Sequence, residues 1–196
     1  MPYTPEHKEQ TRQRILQAAA KLFCSHGFDR VTLTQIMKKA NMTHGAFYAH
    51  FSGKSSLYEA AMAFASSHAF WARDHKNTEE KETHLKALVS RYLSWGRTDK
   101  EHPSPLEFLV TDAAHKDEKV RQAYQVCFDN LVERLAGILK KQGSQEAEEL
   151  AEETVVSLVG TVAIARSFTQ SLQKDFLNRA QARIFHRLNN SLKVTG

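Results

Sequence analysis

The chain has 196 residues, enough for one or two small domains with a buried core. Its 27 basic and 22 acidic residues give a net charge of +5. The two cysteines, Cys24 and Cys127, lie far apart with neither metal-ligand nor redox spacing. These properties exclude a disulfide-stapled secreted domain, and no apolar run is long enough to span a bilayer. We expect a soluble, cytoplasmic protein with no membrane partner.

The excess positive charge is confined to the first quarter of the chain. Residues 1–54 contain eight basic and three acidic residues, a difference of +5, so the other 142 residues are neutral overall. A basic segment joined to a neutral body predicts one part that meets a polyanion and another that does not. The alternative is a basic face that only keeps the protein soluble.

Proline and glycine are sparse, and almost every stretch has a helical period. The sequence therefore predicts an all-α protein with about nine helices. The first begins at a Thr4 cap followed by proline and ends at Gly27, and the second begins at Thr32, in capping-box spacing with Gln35.

The other helices follow from the same periodicity. A third opens at Thr43 and ends near Phe51, and a fourth begins within residues 52–55 and continues into the seventies. The remaining ones are predicted at about 79–97, 105–115, 117–141, 145–172 and 174–192.

Three short helices within 52 residues, the last two separated by two or three residues, are typical of a helix-turn-helix unit. The stretch VTLTQIMKKANMTHGAFYAHFSGKSSL, residues 31–57, closely resembles the DNA-binding domain of TetR/AcrR-type transcriptional regulators. It has that family's F-Y-x-H-F core at residues 47–51, followed by Lys54 and Leu57. The resemblance implies a DNA-binding domain at residues 1–53 and a helical effector-binding and dimerisation domain at residues 54–196.

The residue types in this stretch predict which face meets DNA. Phe47 and Phe51 are four residues apart and should pin the third helix to the first two, while small residues let its backbone approach base edges. A hydroxyl or imidazole in the first helical turn can bond to bases, and the resemblance assigns other positions to the DNA backbone and groove wall. The predicted DNA-binding residues are Thr32, Thr34, Thr43, His44, Gly45, Ala46, Tyr48, His50 and Lys54. An alternative is that Thr32 and Thr43 serve only as helix caps.

The segment 154–165 is apolar on nearly every side, which predicts that it is covered both by its own core and by a second subunit. Gly160 and Ala163 would permit close helix approach. In the resembling family the last two helices form a four-helix bundle across a twofold axis. The predicted interface residues are Val155, Leu158, Val159, Val162, Ala163, Leu177, Ile184 and Leu188. The alternative is a helix fully buried within a monomer.

The resemblance also implies an effector pocket among the helices of residues 55–141. Its candidate lining residues are Phe64, His68, Trp71, Tyr92, Trp95, Phe108, Tyr124, Cys127 and Phe128. Aromatic residues at helical spacing equally suit an ordinary core. Cys127 is a candidate sensor of electrophiles or oxidants, and a buried inert thiol is the alternative.

These observations predict a sequence-specific transcriptional regulator, a homodimeric repressor that a small-molecule effector releases from an inverted-repeat DNA operator. The histidines, serines and acids show no metal-ligand or catalytic spacing, so we expect neither an enzyme nor a cofactor or metal. A helical small-molecule-binding or enzymatic protein with a non-functional head would instead have an eroded third helix and a neutral head. A nonspecific DNA-coating protein would have more lysine and arginine in the third helix.

Overall fold

The computed structural model describes residues 4–68, 81–98, 106, 110 and 113–193, without the side chains of residues 81–83, 95–98, 192 and 193. These residues form eight helices and no strand, which confirms the all-α prediction. In chain order the helices are α1 (Pro5–His26), α2 (Leu33–Ala40), α3 (His44–Tyr48), α4 (Lys54–His68), α5 (Lys81–Thr98), α6 (Glu118–Lys141), α7 (Ala147–Ala165) and α8 (Gln170–Lys193). The predicted helix at 105–115 lies mostly outside the described residues.

Local capping explains where the first two helices begin and end. The Thr4 hydroxyl accepts a hydrogen bond from the His7 backbone N–H at 3.3 Å, and Gly27 ends α1 at a φ of 81° that favours glycine. Thr32 and Gln35 form the predicted capping box at the start of α2. These three helix ends are therefore encoded by residues within one turn of them.

The structure corrects two predicted helix boundaries. α3 ends at Tyr48, three residues before the predicted end, and a turn carries the chain to Phe51. α7 ends at Ala165 instead of continuing to about 172, because the chain turns through residues 166–169 and α8 begins at Gln170. Neither glycine nor proline marks this second break, so the periodicity concealed it.

The chain divides into two compact units. The first consists of residues 1–69 and 100–127. In it α1 packs against both α2 and α4, and α2 packs against α3. Its core is apolar and includes the fully buried side chains of Ile15, Phe23, Ile36, Phe47 and Tyr58. Packing of these apolar side chains stabilises short helices that would be unstable alone.

The second unit consists of residues 70–99 and 128–196. Helices α5, α7 and α8 pack against one another in it. Leu150, Val155 and Leu158 of α7 are buried there, as are Leu177 and Leu188 of α8. None of the helices that the structure describes is both long and apolar enough to cross a membrane. The division of the chain into domains at residue 53 stays a prediction.

Candidate nucleic-acid interface

A tight turn joins α2 to α3. Asn41 adopts the left-handed conformation at φ 54° and ψ 49°, which asparagine tolerates better than most residues. The Met42 N–H donates to the Met37 carbonyl at 2.9 Å, and the Arg14 guanidinium of α1 donates to the Ala40 carbonyl at 3.0 Å. The end of α2 is thus bonded both to the turn and to α1, which fixes the direction in which α3 leaves.

The inner face of α3 is aromatic. Phe47 is fully buried, and its ring lies 5.9 Å from that of Phe51, centre to centre. Tyr48 packs edge-on against Phe47 at 5.0 Å while remaining 65% exposed. The i, i+4 phenylalanine pair therefore holds α3 in place, as the sequence predicts, and leaves its other face outward.

The outer face of α3 consists of small or polar residues and is nearly uncharged. Thr43, His44 and Gly45 are exposed, and Ala46 is half-buried. A Cβ atom added at Gly45 would meet no atom of the chain within 4 Å, so folding alone does not require glycine there. The His44 and Tyr48 rings lie 5.9 Å apart on this face. The small side chains of Gly45 and Ala46 leave room for another molecule to approach the α3 backbone closely.

The two threonines that were candidate caps have different roles. The Thr32 hydroxyl accepts from the Gln35 N–H at 3.2 Å, and the Thr32 N–H donates to the Gln35 side chain at 2.8 Å, so Thr32 is a structural cap. Thr43 occupies the cap position of α3, but its side chain forms no capping hydrogen bond. The capping alternative therefore fails to account for the Thr43 hydroxyl. Thr34 is exposed in the first turn of α2.

Cationic groups surround the two ends of this region. The Lys54 ammonium lies 4.4 Å from the centre of the Phe28 ring, a cation–π contact at the first residue of α4. The Arg12 guanidinium lies 5.2 Å from the centre of the Phe51 ring. Burial, followed by the charges of Lys8 and Arg12, lowers the pKa of His50 below its usual value of 6.5, against a smaller opposing effect of Glu9.

Two contacts connect this region to the start of α6, within the same compact unit. Lys116 forms an ion pair with Asp29 in the loop between α1 and α2. Asp117 accepts a hydrogen bond from the Ser55 hydroxyl of α4 at 2.8 Å and another from the Val120 N–H at 3.0 Å, which caps α6. Lys8, Arg12, Asp29, Lys116 and Asp117 were not among the predicted site residues. Arg12 and Lys8 could have been found from the local charge excess, whereas the contacts at residues 116–117 have no signal in the sequence.

Comparison with known proteins assigns this region to a family. The profile of the family described as "Bacterial regulatory proteins, tetR family" matches residues 15–61. The chain carries the N-terminal domain of the TetR family. This confirms the resemblance that the F-Y-x-H-F motif indicated.

Individual relatives agree with that assignment. Over 60 residues the chain is 45% identical to the HTH-type transcriptional regulator SrpR of Pseudomonas putida. The matched segment covers 31% of this chain and 28% of SrpR. The chain is 43% identical over 60 residues to the uncharacterized HTH-type transcriptional regulator TtgW of the same species, covering 31% of this chain and 45% of TtgW. The matches therefore span less than half the length of these two relatives.

The similarity of fold to solved structures extends beyond the N-terminal domain. The reduced form of Escherichia coli NemR superposes with a TM-score of 0.77 at 18% identity, over 89% of this chain and 95% of NemR. At this identity the similarity establishes the fold alone.

The predicted pocket residues of this TetR-type chain do not all fall within the described part. Trp71 and Phe108 lie outside the described residues, as does the side chain of Trp95. Phe64, His68, Tyr124 and Cys127 belong to the first compact unit, and Tyr92 and Phe128 to the second. The pocket stays a prediction.

Four of these six side chains have contacts that define their surroundings. The Phe64 and His68 rings stack at 4.0 Å on α4. The Tyr124 hydroxyl donates to the Leu106 carbonyl at 3.2 Å, and the Cys127 thiol donates to the Met62 carbonyl at 3.4 Å. Burial raises the pKa of Cys127 to about 12, which favours the inert thiol over the sensor.

Most of the predicted interface residues lie in the core of their own chain. Seven of the eight are buried within a single subunit, and only Ala163 is partly exposed. The outward face of α7 instead has Val156, 56% exposed, and Ile164, 52% exposed, with Gly160 between them at helical spacing. Because α7 is apolar on both sides, its sequence does not distinguish the side that packs in the core from the side that faces outward.

A groove of about 480 Å³ runs between α7 and α8 in the second unit. It is lined by Glu153, Thr154, Val156, Ser157, Gly160, Thr161, Ala180, Arg183, Ile184 and Arg187. The Arg187 side chain donates to both carboxylate oxygens of Glu153, at 3.0 and 3.2 Å, across one end of it. Within the described part of the chain, no group of three or more histidine, cysteine, aspartate or glutamate side chains is placed to hold a metal ion.

Proposed function

We propose that the chain is a sequence-specific DNA-binding transcriptional regulator that reads base edges with the exposed face of α3. One observation supports this proposal. An exposed, nearly uncharged face containing Thr43, His44 and Gly45 is held outward by the buried Phe47 and flanked by cationic groups. Base edges in the major groove present donors, acceptors and methyl groups to a helix at close approach. Thr43 and His44 are the residues that would read them.

The DNA backbone would be held by groups around this face. Tyr48 and His50 flank its far end, and Lys54 lies at the start of α4, where a helix N-terminus favours a phosphate. Thr34 on α2 would touch the opposite groove wall. The backbone N–H of Thr32 is bonded to Gln35, so the main contribution of Thr32 is to fix α2.

The proposed regulator acts as a homodimer through the outward face of α7 and the α7–α8 groove. Val156, Gly160 and Ile164 give this face an apolar centre. The exposed acids Glu149 and Glu152 lie at one end of α7, and the exposed bases Arg179 and Arg183 lie on α8. A twofold pairing would place the acids of one subunit beside the bases of the other around the apolar centre.

Twofold symmetry predicts the form of the operator. Two α3 helices would enter successive major grooves, so the operator would be an inverted repeat with half-sites about 34–36 Å apart or at a related spacing. The regulator would be a cytoplasmic repressor. A small-molecule effector would release it by binding more tightly to a conformer in which the two heads are wrongly spaced.

Selection of bound duplexes from a random-sequence pool tests this function. The expected result is enrichment of an inverted repeat. The same repeat should also be recovered when fragments of the host genome are used in place of the random pool. The alternative of a helical binding protein or enzyme with a non-functional head predicts no enrichment. That outcome would refute the proposed function, and repeating the selection with a panel of metabolites would identify the effector.

A further inference from the structure

Three cationic or titratable side chains, two from α1 and one from the turn after α3, meet at the far end of α3. His50 follows α3 by two residues and is half-buried. The Arg12 guanidinium of α1 reaches to 5.2 Å from the ring centre of Phe51, the residue next to His50. Lys8 lies one helical turn before Arg12, on the same face of α1, and is exposed.

The electrostatics of His50 show that this cluster is positive. After burial, the largest effects on its pKa are the charges of Lys8 and Arg12, and both disfavour protonation. The carboxylate of Glu9 opposes them with a smaller effect. These three charged groups all lie on α1. Concentrating positive charge beside a titratable histidine costs free energy in the unbound protein and favours the approach of an anion.

We infer that Lys8 and Arg12 extend the DNA-binding surface from α3 onto α1, where they and His50 together hold one stretch of the phosphate backbone. This inference rests on the proposed function. The contact is with phosphate and carries no base preference, so it fixes the position of α3 on the duplex. The Arg12–Phe51 contact also holds the guanidinium beside the turn that follows α3.

DNA binding then takes up protons. In the free protein, burial and the charges of Lys8 and Arg12 lower the pKa of His50 and so favour its neutral form. A phosphate beside the ring favours the imidazolium, so a proton moves from solvent to a ring nitrogen on binding. Affinity therefore rises as pH falls from the pKa of the bound state toward that of the free state, and it levels off below the free-state pKa.

Salt titrations of DNA affinity test the inference. The probe is the pool of duplexes that the wild-type protein retains from random sequence. Lys8→Ala and Arg12→Gln should each lower the slope of log affinity against log salt by about 0.9 per bound subunit. Lys174→Ala, which removes an exposed lysine of α8, is the matched control and should leave the slope unchanged. Slopes for both α1 variants equal to that of the control would overturn the inference.

Proton uptake supplies a readout that a merely structural role would not change. Calorimetry in buffers of different ionisation enthalpy should show net proton uptake on DNA binding, and this uptake should be smaller in Lys8→Ala. That variant removes one of the charges holding His50 neutral, so more of the free protein is already protonated. Uptake unaltered by Lys8→Ala would also count against the inference. A wild-type protein that retains no duplex would instead refute the proposed function.

Discussion

The Ser55 hydroxyl donates a hydrogen bond of 2.8 Å to Asp117, and the same carboxylate caps α6 through the Val120 N–H. One exposed side chain thus connects the first turn of α4, beside Lys54, to the first turn of a helix more than sixty residues further along the chain. The neighbouring Lys116–Asp29 ion pair makes a second connection, to the loop before α2. The start of α6 therefore contacts both the first turn of α4 and the loop before α2.

Removing this carboxylate should destabilise the chain in a pH-dependent way. Asp117→Ala should lower the free energy of unfolding by about 1 kcal/mol at pH 7, a typical effect of losing a helix cap. The bonds from Val120 and Ser55 lower the pKa of Asp117 below 3.8, so its contribution is full above that value. It is lost as pH falls through the lowered pKa.

Urea unfolding of the wild-type and Asp117→Ala proteins across the acidic range measures this effect. Their midpoints should converge at low pH. Ser55→Ala, which keeps the α6 cap, should show a smaller difference at pH 7. A gap between wild-type and Asp117→Ala that stays constant with pH would contradict the assignment.

Lys54 should contribute to DNA binding without regard to sequence. Lys54→Ala should weaken binding about equally on all duplexes and lower the salt slope by about 0.9 per bound subunit, because one phosphate contact is lost. Salt titrations on two unrelated duplexes measure this. An unchanged slope would remove Lys54 from the phosphate contacts and leave it a role within the folded chain, where it contacts Phe28.

The outward face of α7 should control the oligomeric state. Val156→Arg places a charge at the apolar centre of that face, so the protein should sediment as a 22.3 kDa monomer instead of a dimer. Val126→Arg is the matched control, since Val126 is a similarly exposed valine, 50% accessible, on α6. A dimer that survives Val156→Arg would place the interface elsewhere.

Cys127 should be chemically inert in the folded protein. Its side chain is 1% exposed and its pKa is raised to about 12, so at neutral pH the reactive thiolate is scarce and shielded. In a Cys24→Ser background, iodoacetamide should modify Cys127 only after denaturation. Rapid labelling of the native protein would revive the sensor hypothesis, as would a response to electrophiles that Cys127→Ser abolishes.

The sequence predicted best those features that are encoded within one helical turn. Thr4, Gly27 and the Thr32–Gln35 pair act on backbone groups only a few residues away, and the structure places each helix end where they indicate. The pairing of Phe47 with Phe51 follows from the same local rule. Short-range geometry is nearly the same in every protein, so it can be inferred without knowing the fold.

The features that sequence reasoning missed depend on residues distant in the chain. The break at Ala165 lacks glycine and proline, and Ile164 and Phe168 continue the apolar pattern across it. Which apolar side of α7 faces inward is decided by packing against α5 and α8, so the predicted interface residues Val155 and Leu158 are buried and Val156 is exposed instead. The Ser55–Asp117 contact spans 62 positions and involves residue types that are common on any surface.

The affinity of wild-type and His44→Ala proteins for the selected operator and for a scrambled duplex tests most directly whether α3 reads bases. His44→Ala should cost roughly 1–3 kcal/mol on the operator and little on the scrambled duplex. His26→Ala, an exposed histidine at the end of α1, should change neither. If the wild-type protein binds both duplexes equally, or if His44→Ala weakens both to the same extent, base reading by His44 on α3 is contradicted.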